Sequence, residues 1–469
     1  MVSLSFTTLA QFASLAAAGV TVTRTHRAPT GYEATFTYSN ATAINVTVAG
    51  GFHTFTDSSH TSPGASAAYD PRTSYEPGDF WAVNNEATTS PFLMTKDGNG
   101  TWSLTVPLPS GTYSYAFVTD CYDLSECTVD TGHWVVDPEN PPFENVKGDA
   151  DASSFQVPYD AQFQYTPEID LNFDFQLPAS MGHAGSSFYV NYTSPGSIHP
   201  ATNVHYFGMH VPHGYLPKCG SSEHQKNGSG ACSSKEYPVL YLSHGGSGDG
   251  SDWFNLAAVG NIMDNLIASG YIEPTILILP DFYNLNSEYT YTQGVAKSKV
   301  NPPTSFVREN FVQYLFPFVE ENFPVSSSPA KRAFAGLSLG SKLTNEMYIN
   351  NTAYFDYYGF FSGATTQNNV ITAEGYINAS ILEQNPSLAQ KGIFTSYGVF
   401  DIAIQDTRNL QTQLDALSIN YTRHISPFGY HYWNTWADAL WHYGQKSLWQ
   451  PLPTTQNTAR YAPLCGSTS

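Results

Sequence analysis

Residues 334–341 read Phe-Ala-Gly-Leu-Ser-Leu-Gly-Ser, and no other stretch of this chain restricts its fold as tightly. An apolar, strand-like run leads straight into Gly-x-Ser-x-Gly, with Ser338 at its centre. That order predicts a strained strand-to-helix turn that lifts a serine hydroxyl clear of a sheet. Gly336 and Gly340 stand where any Cβ would collide as the turn closes. Ser338 is then a nucleophile for acyl transfer, provided that the rest of the chain supplies a base, an orienting acid and donors for an oxyanion.

The surrounding text agrees with a two-part chain. From about residue 23 to 145, short alternating runs such as Glu33–Tyr38 and Thr112–Phe117 are separated by Gly, Pro and Asn turns. That is the pattern of a small all-β, immunoglobulin-like sandwich. Residues 52–92 form a long polar interruption, and a Pro- and Asp-rich connector is expected over 146–185. From 186 to 469 the pattern becomes α/β, with an α/β-hydrolase as the expected fold. Val239–Leu242 and Thr275–Leu279 are continuous apolar runs, as buried parallel strands should be. Ile262–Ser269 reads as a helix stopped by Gly270, and Val307–Asn322 as an amphipathic helix interrupted at Pro317. Residues 1–22 are apolar and small, like a signal segment, although no Lys or Arg precedes them.

Composition narrows the partners. With 19 Lys+Arg against 39 Asp+Glu the net charge is −20, which argues against nucleic acid and anionic membranes. Of five cysteines, Cys121 with Cys127 and Cys219 with Cys232 bracket short loops and read as two local disulfides, which implies an oxidising, secreted setting. Cys465 is left over, and neither pair has zinc-site spacing, so no metal is expected. Asn-x-Ser/Thr sequons at Asn40, Asn45, Asn99, Asn191, Asn227, Asn350, Asn378 and Asn420 are candidate glycosylation sites.

After Ser338 only His424, His431 and His442 remain as bases. His431 is preferred, because it follows Gly429-Tyr430 in a turn and precedes a helix start. His424 reads as strand and His442 as helix. Asp401 follows the strand Gly392–Ser396 and lies at the carboxyl end, where sites in open α/β sheets collect. Asp406 reads as a helix-entry charge. The run Ser243–Gly250, rich in glycine after a buried strand, offers the N–H of Gly246 (or Gly245) as an oxyanion donor beside that of Leu339. His244 reads as a histidine that holds this loop. Trp433, Trp253 and the tyrosines around 283–292 are candidates for the acyl or sugar pocket, with ordinary packing as the alternative.

With these residues assembled, the chain from about 186 to 450 resembles carbohydrate esterase family 1, which includes feruloyl and acetylxylan esterases. The matching stretches are Tyr237–Gly246 with Asp252-Trp253, Ile262–Gly270, Arg332–Gly340 and His431–Trp436. The resemblance implies a Ser338, Asp401, His431 triad and no cofactor. The chain departs from the family pattern at Gly340-Ser341 and Trp436-Ala437, which bear on the pocket more than on the chemistry. Residues 96–102, 111–115 and 137–140 resemble a family 48 carbohydrate-binding module. There Trp102 reads as core, and Trp81 as a sugar-stacking residue or a loop anchor. The expectation is a secreted serine esterase acting on acylated xylan or arabinoxylan, feruloyl before acetyl. A siderophore esterase is disfavoured by the scarcity of Lys and Arg. An intracellular thioester hydrolase is disfavoured by the extra domain and paired cysteines. A non-catalytic glycan-binding protein is disfavoured by the complete Ser/Asp/His set.

Overall fold

The structure is a computed structural model and describes residues 19–50, 55–56, 75–77, 79–81, 92–122, 132–143, 152–167, 169–221, 231–290, 301–364, 377–427 and 429–453. The N-terminal region is all-β. Its strands are β1 (Gly19–Arg24), β2 (Tyr32–Ser39), β3 (Val46–Gly50), β4 (Phe55–Thr56), β5 (Phe80–Trp81), β6 (Phe92–Leu93), β7 (Thr95–Lys96), β8 (Thr101–Pro107), β9 (Gly111–Thr119), β10 (His133–Val135) and β11 (Ser153–Val157). One antiparallel sheet runs β1-β2-β8-β7. A second runs β10-β9-β3-β6 with β11 also paired to β9, and β4 pairs with β5. Alternation in β2 sends Ala34 and Phe36 inward, and Phe36 meets Tyr115 of the second sheet at 5.3 Å and Phe155 at 5.6 Å, both edge-on. Burying each such ring contributes about 2–3 kcal/mol.

Two boundaries differ from the sequence reading. β1 starts at Gly19, inside the segment read as a signal, because Gly19–Arg24 pairs residue for residue with Thr37–Tyr32. β11 lies in the range read as connector, because Phe155 completes the ring cluster between the sheets. The rest of the connector is pinned rather than loose. Asn261 and Asn265 donate to the carbonyls of Phe175, Gln176 and Leu177, and Phe175 stacks on Trp441 at 4.9 Å.

The C-terminal region is built on an eight-stranded sheet. Its strands are β12 (Ser186–Thr193), β13 (Val204–Val211), β14 (Val239–Ser243), β15 (Ile276–Pro280), β16 (Arg332–Leu337), β17 (Tyr357–Phe361), β18 (Gly392–Gly398) and β19 (Thr422–Ser426). Their order is β12-β13-β15-β14-β16-β17-β18-β19, and only β13 runs antiparallel to its neighbours. This is the α/β-hydrolase arrangement. The flanking helices include α1 (Asp252–Ala257), α2 (Val259–Ala268), α3 (Thr304–Asn310), α4 (Phe316–Asn322), α5 (Leu339–Asn350), α6 (Ile404–Ala416) and α7 (Trp433–Lys446). α2 begins three residues earlier than expected and ends before Gly270, whose φ is +71°. The helix read as interrupted at Pro317 instead widens just before it. Residues Phe311–Leu315 form a π-turn that joins α3 to α4, with Phe316 N–H bonded to Phe311 O. A wider turn absorbs the hydrogen bond that proline cannot donate. Among the described residues no helix is long and apolar enough to cross a membrane.

The two regions meet at Phe143. Its N–H donates to Asn255 Oδ1 at 2.8 Å, and its ring lies 4.4 Å from Phe254 and 5.1 Å from Tyr189. Cys219–Cys232 forms a disulfide. Cys121 is disulfide-bonded, while Cys127, Cys465 and Asn227 lie outside the described residues. Two of the sequons carry amide nitrogens that hydrogen-bond within the chain. Asn45 Nδ2 donates to Cys121 O at 3.0 Å, and Asn350 Nδ2 donates to Glu346 Oε1 at 2.9 Å. Asn99 and Asn191 are exposed.

Under the last strand, α7 carries a buried polar knot. Asp438 accepts from His424 Nε2 at 2.6 Å, faces His442 Nδ1 at 3.1 Å and also accepts from the Ser426 hydroxyl. Burial pushes His424 below the ordinary histidine value despite the pull of Asp438. Burial would raise Asp438, but hydrogen bonds from His424 and His442 hold it well below the carboxylate range. In the folded protein both groups therefore bind fewer protons than in the unfolded chain, so stability falls as pH falls. The His424 contribution starts to go below about pH 6.5, where the unfolded imidazole charges. The Asp438 contribution follows at still lower pH. Thermal melts between pH 8 and 5 should show this decline, and His424→Asn, which cannot charge, should flatten it. Asp438→Ala should cost about 3 kcal/mol at pH 7.

Candidate active site

The site is assembled at the carboxyl ends of the parallel strands. β16 delivers Ser338 into a turn with φ +50° and ψ −113°, a conformation few non-glycine residues adopt, and α5 starts at the next residue. Three close approaches make the turn. A Cβ on Gly336 would stand 2.5 Å from Gly340 O, and one on Gly340 would stand 2.3 Å from His244 O. A Cβ on Gly245 would lie 2.5 Å from Leu337 Cδ1 and 3.3 Å from Ser338 Cβ. The loop after β14 therefore rests directly on the elbow, backbone against backbone.

β18 ends at Gly398, and Asp401 follows in a tight turn closed by Asp401 N–H to Gly398 O at 3.1 Å. Asp401 Oδ1 lies 2.8 Å from His431 Nδ1. The carboxylate only accepts, so Nδ1 carries a proton, and in the neutral form of the ring the lone pair is on Nε2. Burial would raise the Asp401 pKa. The hydrogen bond and charge of His431, with the Ser362 hydroxyl and the Ala403 N–H, outweigh it and hold the carboxyl below its ordinary value. Asp406 sits on α6 within 3.9 Å of Lys342 Nζ, and its carboxyl is raised mainly by burial. It does not hydrogen-bond His431.

His431 is placed by backbone economy. Gly429 has φ +111°, and a Cβ there would stand 2.3 Å from Thr435 Oγ1. A Cβ on Gly398 would stand 2.3 Å from Gly429 O. The loop thus lies flat on the end of β18, and Thr435 Oγ1 fastens it by donating to Tyr430 O at 2.7 Å. The edge of Trp436 packs 5.1 Å from the His431 ring. Ser338 and His431 are both half-buried, while the Asp401 side chain is fully buried.

Gly246 lies near Leu339, with 3.9 Å between its would-be Cβ and Leu339 Cβ. The two expected oxyanion donors therefore come from adjoining backbone. The N–H of Ser247 is already engaged by Tyr283 Oη at 3.0 Å.

The aromatic candidates move. Trp253 is fully buried and donates Nε1–H to Ser243 O at 3.2 Å, so it is core and does not reach a substrate. Trp433 is also buried, edge-on to Trp253 at 5.4 Å and Trp436 at 5.0 Å. Tyr283 is buried, with its hydroxyl donated to Asn301 Oδ1 at 2.6 Å. Trp253 and Tyr283 satisfy their polar ends internally, as buried Trp and Tyr usually do. The side chain of Trp81 lies outside the described residues. Val399 and Ile402 flank Asp401 and are 38% and 64% exposed.

Two further His–Asp groups need placing. His210 links Ser187 Oγ and Asp264 Oδ1, each at 2.9 Å, but it pairs with Leu277 at the amino end of β15, the opposite edge from Ser338. His424, Asp438 and His442 bring possible ligand atoms within 4.8 Å of one another. The two imidazoles stack at 3.9 Å and 16°, so their in-plane lone pairs run nearly parallel instead of converging on one ion. That geometry suits a shared carboxylate better than a metal.

The fold and the site define the C-terminal region as an α/β-hydrolase with a Ser/His/Asp arrangement at the strand ends. Residues 230–444 match the esterase family described as "Putative esterase". A relative from Xylanibacter ruminicola, "Endo-1,4-beta-xylanase/feruloyl esterase", is 33% identical over 135 residues, 28% of this chain and 17% of its own length. The chain therefore matches less than a fifth of that protein. The structure of a ferulic acid esterase from Anaeromyces mucronatus with ferulic acid is 17% identical with TM-score 0.46, covering 60% of this chain and 97% of that one. The enterobactin esterase of Shigella flexneri is 14% identical with TM-score 0.47, covering 92% and 96%.

The corrected role of Trp253 is open to a direct check. Trp253→Phe should lower stability by about 1–3 kcal/mol, the cost of a partly filled cavity and a lost hydrogen bond, and leave KM within twofold. Chemical denaturation beside steady-state ester hydrolysis reads both. A KM raised tenfold with stability unchanged would return Trp253 to the pocket.

Proposed function

We propose that this protein is a secreted serine esterase that removes acyl groups from plant cell-wall xylan, feruloyl groups first and acetyl groups second. The observation that carries the reading is the Asp401–His431 pair at 2.8 Å on the strand edge that also bears the strained Ser338. In this scheme His431 Nε2 takes the Ser338 proton as Oγ attacks the ester carbonyl. The N–H groups of Gly246 and Leu339 stabilise the oxyanion. The protonated His431 then gives its proton to the departing sugar alkoxide, and water repeats the sequence on the acyl-enzyme. Asp401 holds the imidazole in the useful tautomer throughout. The Xylanibacter relative, named as a xylanase/feruloyl esterase, supports the substrate class, and the Cys219–Cys232 disulfide supports an extracellular setting. Val399 and Ile402 replace the buried tryptophans as candidates for the acyl or sugar contact. The N-terminal sandwich, with its resemblance to a family 48 module, is assigned a glycan-holding role.

Acid release from feruloylated arabinoxylan and acetylated xylan, with wild type and Ser338→Ala in parallel, tests the reading. Ferulate released by wild type and reduced by about 10⁴-fold or more in the variant is the expected result. Acetate alone would keep the mechanism and change the acyl group. Release of neither acid would overturn the reading.

A further inference from the structure

We propose that His244 is the positioning residue of the oxyanion hole: its imidazole grips the Gly245 carbonyl and thereby aims the Gly246 N–H. This deepens the esterase reading above and rests on it.

The argument starts from one peptide plane. In a trans peptide the carbonyl of residue 245 and the N–H of residue 246 point in opposite directions. Whatever fixes that carbonyl also fixes the N–H. His244 Nδ1 lies 2.8 Å from Gly245 O. A carbonyl oxygen only accepts, so Nδ1 must carry the proton and donate. Gly248 N–H adds a second, longer bond to the same oxygen at 3.4 Å.

The imidazole is itself immobilised. It is fully buried and stacks on Phe282 at 4.0 Å. Its Nε2 faces Asp281 Oδ1 at 3.3 Å, and Asp281 is buried at the end of β15, where Oδ1 also accepts Tyr283 N–H at 2.9 Å. A chain of buried groups therefore runs from the end of β15 through Asp281 and His244 to the Gly245–Gly246 peptide. His244 touches no substrate. Ser247 N–H is held by Tyr283, and the Gly246 N–H is the donor that shares a peptide plane with the gripped Gly245 carbonyl. Glycine at 245 and 246 makes this control necessary, because such a dipeptide has many conformations of its own. A donor contributes to rate only when it already points at the charge that develops.

Two variants of the full chain separate positioning from packing. His244→Asn keeps a side-chain N–H near the place of Nδ1, while His244→Leu keeps the bulk and loses the donor. kcat and KM on methyl ferulate and 4-nitrophenyl acetate are read beside the affinity of an arylboronic acid, whose tetrahedral adduct on Ser338 mimics the oxyanion. The Leu variant should lose kcat by roughly 10²-fold with KM within about twofold, and should bind the boronate weaker by a similar factor. The Asn variant should recover at least tenfold of that loss. Boronate affinity unchanged in the Leu variant, or an Asn variant as impaired as Leu, would overturn the proposal alone. A wild type that neither hydrolyses these esters nor binds the boronate would overturn the esterase reading and this proposal with it. Asp281→Asn, equal in volume, gives a second reading should the Leu variant not fold. There kcat and boronate affinity should fall together, and no change in either would overturn the proposal.

Discussion

The site depends on one steric constraint: two backbones must touch where β14 and β16 end. Ser243 and His244 offer carbonyls to the space that a Cβ on Gly340 would fill, at 2.9 and 2.3 Å. Gly336 lets the elbow fold back on Gly340 in the same way. Side chains at either place would separate the strand that presents the serine from the loop that presents the oxyanion donors. Everything chemical at this edge follows from that contact. It sets the strained angles of Ser338, the neighbourhood of Gly246 and Leu339, and the burial of His244 behind them.

Much of this was legible in the chain, for physical reasons. Glycine at 336 and 340 carries its steric meaning in the text. Asp401 and His431 were found because both follow strand-like runs through short turns, so their places at the sheet edge were implied by order alone. The burial of the aromatic candidates was not legible. Trp253 and Trp433 lie close to the site in sequence, but an indole does not say which way it faces. Both are buried: Trp253 donates to Ser243 O, and Trp433 packs edge-on against Trp253. The extent of the sandwich was missed for a related reason. Phe155 follows a polar, Asp-rich stretch, and only the ring cluster with Phe36 and Tyr115 explains why Ser153–Val157 is strand.

The N-terminal sheets do not hang from a free tether. Phe143 sits between Phe254 and Tyr189, and Asn255 exchanges hydrogen bonds with both its N–H and its carbonyl. The segment that follows adds β11 to the sandwich and then lays Phe175 on Trp441 of α7. The helix that begins beside His431 is thus braced near its far end by a residue from the connector.

Trp253 has a consequence of its own. Its indole nitrogen holds the Ser243 carbonyl at the root of the oxyanion loop, and its ring abuts Trp433, two residues beyond His431. Trp433 in turn meets Trp436, and Trp436 meets the imidazole. The loop that would stabilise charge and the residue that would move the proton therefore share a single rigid keystone. Neither can be retuned by drift at that position without disturbing the other. Val399 and Ile402 lie outside this run of rings and are exposed, so substitution there leaves the keystone alone.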